Sequence, residues 1–449
     1  MKAVENLKIF ILKQISDIKT YGITELVRKF YLLILLSRYL IILPMIGVGI
    51  IPCIIIRLIS PWIIIRIEKL PASNFGDLLA YPALYYCKKK LNIDQPKKKC
   101  LDLIYIPFSE KISNTQIIKM WKRKLYVLPF FLLEPIYKAN KIFPGYKTHT
   151  IEILTYNSER DIDNLIEKCQ PVIEFTNDEE ILGKKIMQKF GLNDDDKFMC
   201  LAVRDDSYDK KRLSSRFRDW SYQDFRNNNI DNYLLAADEL TKRGYYVFRM
   251  GSTAAKPLNS KNQKIIDYAN SELRSDFMDV YLGAKCSFSI TTQYGVLSLF
   301  TLFGKANAQI SVPFAASHTH NEKYLLLTKH HILKKEKRKL TLSEIFSYGV
   351  AFAFDTEIFK RKGIELAENT PEEIKDLAIE IVDIFESKKK LSEEDTKLQK
   401  KFQSLFAKNY EISNPIKNLK SYWKNTKVHG QIRASYGTKF LRENKNWLQ

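Results

Sequence analysis

Apolar runs of five or six residues that stop abruptly at polar ones set the rhythm of the chain's middle. Phe198–Val203 reads as a buried strand and ends in Arg204-Asp205. Gly244–Phe248 ends in Arg249-Met250-Gly251, and Cys286–Ile290 ends in Thr291-Thr292-Gln293-Tyr294-Gly295. Helix-period stretches lie between them. Asp178–Phe190 is closed by Gly191, and a helix holding Leu234, Leu235 and Leu240 is capped by Asp231 and stopped by Gly244. The alternation continues through Ile310 and predicts a parallel sheet with crossover helices. In open α/β sheets, ligands bind outside the carboxyl ends of the strands.

A second α/β pattern precedes this one. Leu101–Ile106, Leu125–Leu128 and Thr148–Thr155 alternate as strands do. Asn74-Phe75-Gly76-Asp77 opens a helical pattern through Leu78, Leu79, Tyr81, Leu84 and Tyr85, interrupted by Pro82. After residue 345 the pattern is helical. Pro371 starts an amphipathic helix to Ser387, and Lys388-Lys389-Lys390 forms a solvated turn. Aromatic residues near the carboxyl end, Tyr422, Trp423, Phe440 and Trp447 among them, predict a tail that packs back. The resulting organisation is 1–70, a basic apolar segment; 71–175, a first α/β domain; 176–345, a second α/β domain; and 346–449, a helical region.

The first of these regions is the most apolar. Tyr39–Ile56 carries no charge, and Phe30–Ile67 carries only Arg38, Arg57 and Arg66. About 20 apolar residues span a bilayer as a helix, so the region is long enough to enter one. Pro44, Gly47, Gly49 and Pro52 break the helical pattern, which predicts a re-entrant hairpin or a single kinked span. The flanking Arg38, Arg57, Arg66 and Lys69 suit anionic head groups.

Composition narrows the partners. The chain has 449 residues, 45% hydrophobic and 27% charged, as folded multidomain proteins do. A net charge of +21 fits nucleic acid, an anionic membrane or phosphorylated substrates. Lys and Arg are spread over every region instead of one module, which argues against nucleic acid. Six scattered cysteines, with no C-x-x-C pair, suggest neither a zinc site nor a disulfide framework.

The strand ends carry the candidate chemistry. Arg204 and Arg249 offer planar forks that match phosphate. Gly251 lets a ligand approach the backbone, and Thr291, Thr292 and Gly295 precede an apolar helix whose N-terminus suits an anion. Asp205 and Asp279 are carboxylates for a sugar or nucleoside pocket. Tyr208 and Arg226 lie in a long polar, aromatic loop after the first strand, of the kind that is usually functional. His318 and His320, at i and i+2, would share one face of a strand, with Asn321 and Glu322 beside them. Asn74, Gly76 and Asp77 form an entry loop in which Asp77 would serve as general base for an acceptor hydroxyl. Lys329-His330-His331 reads as a surface turn, and Asp194-Asp195-Asp196 as a solvated one. No phosphate-binding P-loop, dinucleotide fingerprint or nucleophile elbow occurs, and no metal site is expected.

Several of these segments resemble a group of bacterial surface-polysaccharide glycosyltransferases. They are Leu201-Ala202-Val203-Arg204-Asp205-x-x-Tyr208, Arg226-Asn227, Gly244-Tyr245-x-Val247-x-Arg249-Met250-Gly251, Asp267-Tyr268-Ala269 and Ser275-Asp276-Phe277-Met278-Asp279-x-Tyr281-Leu282. Phe75-Gly76 extends the likeness to the first domain. The resemblance implies an α/β fold of two Rossmann-like domains facing a cleft, the GT-B arrangement. It also implies a nucleotide-sugar donor in the second domain, an acceptor in the first, and no metal or other cofactor.

The expectation is therefore a transferase moving sugar from a nucleotide donor to a lipid-linked or growing surface polysaccharide, at the cytoplasmic face of the inner membrane. Arg204, Arg249, Thr291, Thr292 and Gly295 would hold the donor phosphates. Two alternatives stand beside it: a pyruvyl or phosphoryl transferase of the same pathway, and a non-enzymatic membrane scaffold.

Overall fold

The computed structural model describes residues 17, 22, 23, 25, 27, 29, 30, 44, 46–151, 153, 161–207, 220–252, 254, 256–292, 295–314, 317–387, 391–413 and 432–449. The chain divides into two compact units, and neither is one continuous stretch. Unit 1 holds Met1–Lys69, Pro96–Ser109 and Tyr126–Ile151; unit 2 holds Leu70–Gln95, Glu110–Leu125 and Glu152–Gln449.

Unit 1 is built on three parallel strands in the order β1 (Ile64–Lys69), β2 (Cys100–Tyr105), β3 (Val127–Leu128). β1 corrects the sequence reading. It lies inside the apolar run expected to seek the membrane, yet Ile64 and Ile67 are buried in the sheet. Helix α1 (46–58) precedes it, with Pro52 inside. Among the described residues, no helix is long and apolar enough to cross a membrane. Most of residues 1–43 lie outside the described residues, as do three of the eight residues of the expected strand Thr148–Thr155, whose start is a 3-10 turn, Tyr146–His149.

Ile56 of α1, Ile67, Tyr105, and Leu133 and Tyr137 of a later helix form the core of this unit. Tyr105 and Tyr137 meet edge to face at 5.7 Å. Arg66 and Asp102, facing each other across β1 and β2, form a buried two-pronged ion pair at 2.6 and 2.9 Å. A charge in mid-strand is tolerated there because both partners are fully matched.

Unit 2 contains a seven-stranded, wholly parallel sheet. Its order is β13 (Ser435–Tyr436), β9 (Tyr324–Thr328), β8 (Ala306–Val312), β7 (Phe288–Thr291), β4 (Phe198–Ala202), β5 (Tyr246–Arg249), β6 (Ile265–Ile266). In chain order, β4 to β6 grow one way and β7 to β9 the other, so the direction reverses between β4 and β7. That is the doubly wound order of dinucleotide-binding folds, with its crevice at the reversal. A small antiparallel sheet of β10 (His330–Leu333), β11 (Arg338–Lys339) and β12 (Ile364–Ala367) accompanies it. Phe402, Tyr436, Phe440 and Trp447 stack together around β13. Tyr422, Trp423 and Lys388–Lys390 lie outside the described residues.

Two helices of unit 2 come from segments between the strands of unit 1. They are α2 (Phe75–Lys90) and α3 (Thr115–Lys122). α2 continues through Pro82. Proline has no N–H, so the carbonyl of Leu78 loses its helical donor. The indole of Trp121 on α3 fills the gap, donating to the Leu78 oxygen at 3.0 Å. Asp231 does not cap the following helix as expected. It lies in a 3-10 turn, Ile230–Tyr233, whose cap is Asn229.

Candidate functional site

At the reversal between β4 and β7 the backbone is tied by side chains the sequence singled out. The Thr292 N–H donates to the Ala202 carbonyl at 3.0 Å, and the Arg204 N–H donates to the Thr292 hydroxyl at 2.8 Å. Thr291, fully buried, donates to Asn307 Oδ1 on β8 at 3.0 Å. Arg204 is buried too, and its guanidinium donates to Asn227 Oδ1.

Gly295 follows in the same loop. An added Cβ on Gly76 would stand 3.0 Å from the Gly295 Cα, and one on Gly295 would stand 3.1 Å from the Gly76 nitrogen. A side chain at either position would push the two turns a few tenths of an ångström apart, so glycine lets them approach this closely. The contact brings the first turn of α2 to the crevice. Asn74 precedes that helix, and its amide donates to Asp77 Oδ2 at 2.9 Å. The structure thus joins Asn74, Gly76 and Asp77 to Arg204, Thr291, Thr292 and Gly295, within unit 2.

One neighbour escaped the sequence reading. Lys329 follows β9 and is 5% exposed, not part of a surface turn. Its ammonium donates to the Asn227 carbonyl at 2.6 Å. Burial pushes its pKa down to about 8, against the pull of Glu368, and nearby Arg204 pushes the same way. Arg204 and Lys329 thus hold the two ends of Asn227. Glu368 accepts from the Asn229 N–H and the Asn232 amide, fixing the next stretch of that loop. The end of β8 is bent beside them: Ser311 has φ +52° at a register shift, and Asn369 accepts from its hydroxyl at 2.8 Å. The signal for Lys329 was present, since Leu325–Thr328 is another apolar run ending in a cation.

Other expected residues have different duties. Arg249 is 2% exposed and its fork is occupied. It donates to the Lys256 carbonyl at 2.9 Å and to Asp267 at 3.1 Å, with Asp205 at 3.8 Å. This corrects the expectation of a direct phosphate contact: Arg249 is a positioning residue that pins the 256–267 loop. Asp205 also accepts from Ser207. Asp279 accepts from Tyr268 and Arg274, both at 2.8 Å, and burial raises its pKa to about 6. It fastens the start of its helix, Asp276–Lys285, to the Tyr268 turn. Gly251, at φ +153°, accepts at its carbonyl from Arg274. Arg226 lies in the 3-10 turn Ser221–Arg226 over the Phe225 ring, and Tyr208 lies outside the described residues.

The histidine cluster is corrected most. His318 and His320 stand in a loop, not a strand. The loop must carry the chain from the carboxyl end of β8 back to the amino end of the parallel β9. Asn321 and Glu322 therefore reach the amino edge of the sheet, where the Asn307 N–H meets the Lys323 carbonyl. His318 clamps Gln309 through its backbone at 2.8 and 2.7 Å, and His320 packs edge-on to Tyr324 at 5.5 Å. Asn321 accepts from the Lys323 N–H, and Glu322 is exposed. His330 and His331 are buried. Asp194 is exposed and pairs with Lys184. Among the described residues no group of acids, histidines and cysteines is arranged for a metal ion.

Solved glycosyltransferases are similar to this chain. The E. coli ADP-heptose LPS heptosyltransferase II is 13% identical, with a TM-score of 0.32, over 59% of this chain and 90% of that one. A glycosyl transferase family 9 protein from Veillonella parvula is 13% identical, with a TM-score of 0.34, over 59% of this chain and 86% of that one. The E. coli heptosyltransferase WaaC, solved with ADP-2-deoxy-2-fluoro heptose, is 12% identical, with a TM-score of 0.27, over 59% and 93%. A likeness at this level fixes neither substrate nor chemistry. No family model matches the chain, and no curated protein does.

Proposed function

We propose that the protein is a glycosyltransferase that moves a sugar from a nucleotide-sugar donor to a lipid-linked or growing surface polysaccharide. The observation that carries the reading is the crevice at the sheet reversal. Two buried cations, Arg204 and Lys329, and the Thr292 turn stand at carboxyl ends of parallel strands, and the Gly76–Gly295 contact brings a carboxylate-bearing helix start to the same place. Anionic donors bind at such reversals.

In this reading Arg204 and Lys329 take the charge of the donor diphosphate, and no cofactor is invoked. Asp77 accepts the proton of the acceptor hydroxyl as its oxygen bonds to the anomeric carbon. The bond from that carbon to the diphosphate breaks, and the nucleoside diphosphate leaves with the electron pair. The location proposed is the cytoplasmic face of the inner membrane.

Isothermal titration of the full chain with UDP, GDP, CMP, TDP and ADP, with and without EDTA, tests this. Saturable binding of one nucleotide, insensitive to EDTA and weakened about tenfold or more in Arg204→Ala, is expected. Asp77→Asn should bind as the parent does yet transfer no sugar. Binding of none of the five would favour a non-enzymatic scaffold.

A further inference from the structure

Unit 1 carries most of the large apolar side chains that stand exposed among the described residues. They are ordered. Val48, Ile50, Ile51, Ile54, Ile55 and Leu58 are exposed on α1, whereas Gly49, Cys53 and Ile56 face inward. At 100° per residue the six exposed positions fall in an arc of about 160°. The opposite arc is tied to helix α4 (Phe130–Asn140). A Cβ on Gly49 would lie 2.4 Å from the Pro135 carbonyl oxygen, the Cys53 thiol meets the Ile136 carbonyl at 3.1 Å, and Arg57 donates to Asn140 Oδ1 at 2.6 Å. α1 is therefore a docked helix with its apolar stripe turned outward, the reverse of a core helix.

The first turn of α4 adds exposed Phe131 and Leu132, and Trp62, just after α1, is 75% exposed. Charge is one-sided. Residues 44–67 contain no acid, and the one acid of residues 130–151, Glu134, is buried and paired with Lys138. Of the cations in these stretches, Arg66 pairs with Asp102, Arg57 is tied to Asn140, and Lys141 and Lys147 stand exposed. A second copy docked here would set cation against cation. An anionic surface would complement them.

We infer that this face of unit 1 rests on an anionic lipid bilayer, with the apolar arc of α1 and the first turn of α4 in the interfacial region and the cations at the head groups. A helix with an apolar stripe and basic flanks that is too short to span lies in the plane of the interface. The inference takes only the location from the proposed function. Loss of vesicle binding would leave the nucleotide titrations untouched, and the reverse holds too.

The test is co-sedimentation of the full chain with vesicles of phosphatidylcholine, alone or mixed with phosphatidylglycerol. The parent should bind the anionic vesicles, less at high salt because the head-group attraction is screened. The triple variant Ile51→Gln, Ile55→Gln, Leu58→Gln should lose about tenfold or more in partitioning. Ile181→Gln with Leu182→Gln, exposed apolar positions in unit 2, should bind as the parent does. Equal binding by the triple variant and the parent would overturn the inference. So would a parent that ignores vesicles but forms a dimer that the triple variant breaks, since the face would then belong to a second copy.

Discussion

Trp121→Phe should destabilise the protein through an atom that belongs to a different helix. The Leu78 carbonyl is buried, and the residue four places on is Pro82, which cannot donate. The Trp121 indole supplies the missing hydrogen bond. Phenylalanine keeps a ring but no donor. Leaving a buried acceptor unsatisfied costs about 1–3 kcal/mol. Trp121 is fully buried, so the lost ring area adds roughly 1 kcal/mol at about 25 cal/mol/Å². The sum is about 2–4 kcal/mol. Pro82→Ala separates the two parts, because alanine at that position would carry an N–H aimed at the Leu78 oxygen. In that background Trp121→Phe should cost only the packing part, about 1 kcal/mol. The coupling in the cycle should be about 1–3 kcal/mol. Urea unfolding followed by far-ultraviolet circular dichroism measures all four proteins, with midpoints compared at constant slope. Equal penalties for Trp121→Phe in both backgrounds would refute the argument, and α2 would then need another explanation for its tolerance of proline.

Three further outcomes follow from the site and its surroundings. Lys329 has a pKa of about 8 in the fold against 10.5 ordinarily, so nucleotide binding should weaken as pH rises through about 8; Lys329→Arg should keep binding at higher pH, and titrations across that range decide it. His331 is held neutral by burial, with a pKa of about 4 against 6.5. The unfolded chain then binds the extra proton between those values, so its share of stability is full above about pH 6.5 and falls toward pH 4, by on the order of 3 kcal/mol. His331→Phe should flatten that part of the urea-midpoint profile, and an unchanged profile would rule His331 out. Gly76→Ala should lower sugar-transfer kcat/KM about tenfold or more by shifting the start of α2, Asp77 with it, away from the Gly295 turn that Gly76 touches; parent-like kinetics would remove the contact from the site.

The doubly wound sheet was legible because its strands are short apolar runs cut off by polar residues at their carboxyl ends. β1 was not. Ile63, Ile64 and Ile65 follow a turn signal at Ser60-Pro61, but the chain is apolar on both sides of it, and a buried parallel strand reads like part of a membrane-seeking segment. The pairing partner that decides the matter, Cys100–Tyr105, is a long way down the chain. α2 posed the same difficulty, since Pro82 breaks a helix unless a donor arrives from elsewhere, and Trp121 is not a neighbour in sequence. At the crevice, Arg204, Thr291 and Thr292 could be proposed from position alone. The side chain of Arg249 could not be read so directly, because Asp205 and Asp267 reach it only once the sheet is assembled. His320, Asn321 and Glu322 misled because a return crossover takes them to the wrong edge.

The interleaving of the two units has a consequence for anyone who recombines this protein with another. Unit 1 is three pieces of chain, and the segments that join its strands belong to unit 2. No single crossover point can exchange one unit for a homologous one, and no continuous fragment encodes the β1–β2–β3 sheet without also encoding α2 and α3. A chimaera that swaps residues 70–125 would bring a foreign Gly76 turn to the native Gly295, so compatibility at two glycines becomes a condition on which hybrids can work.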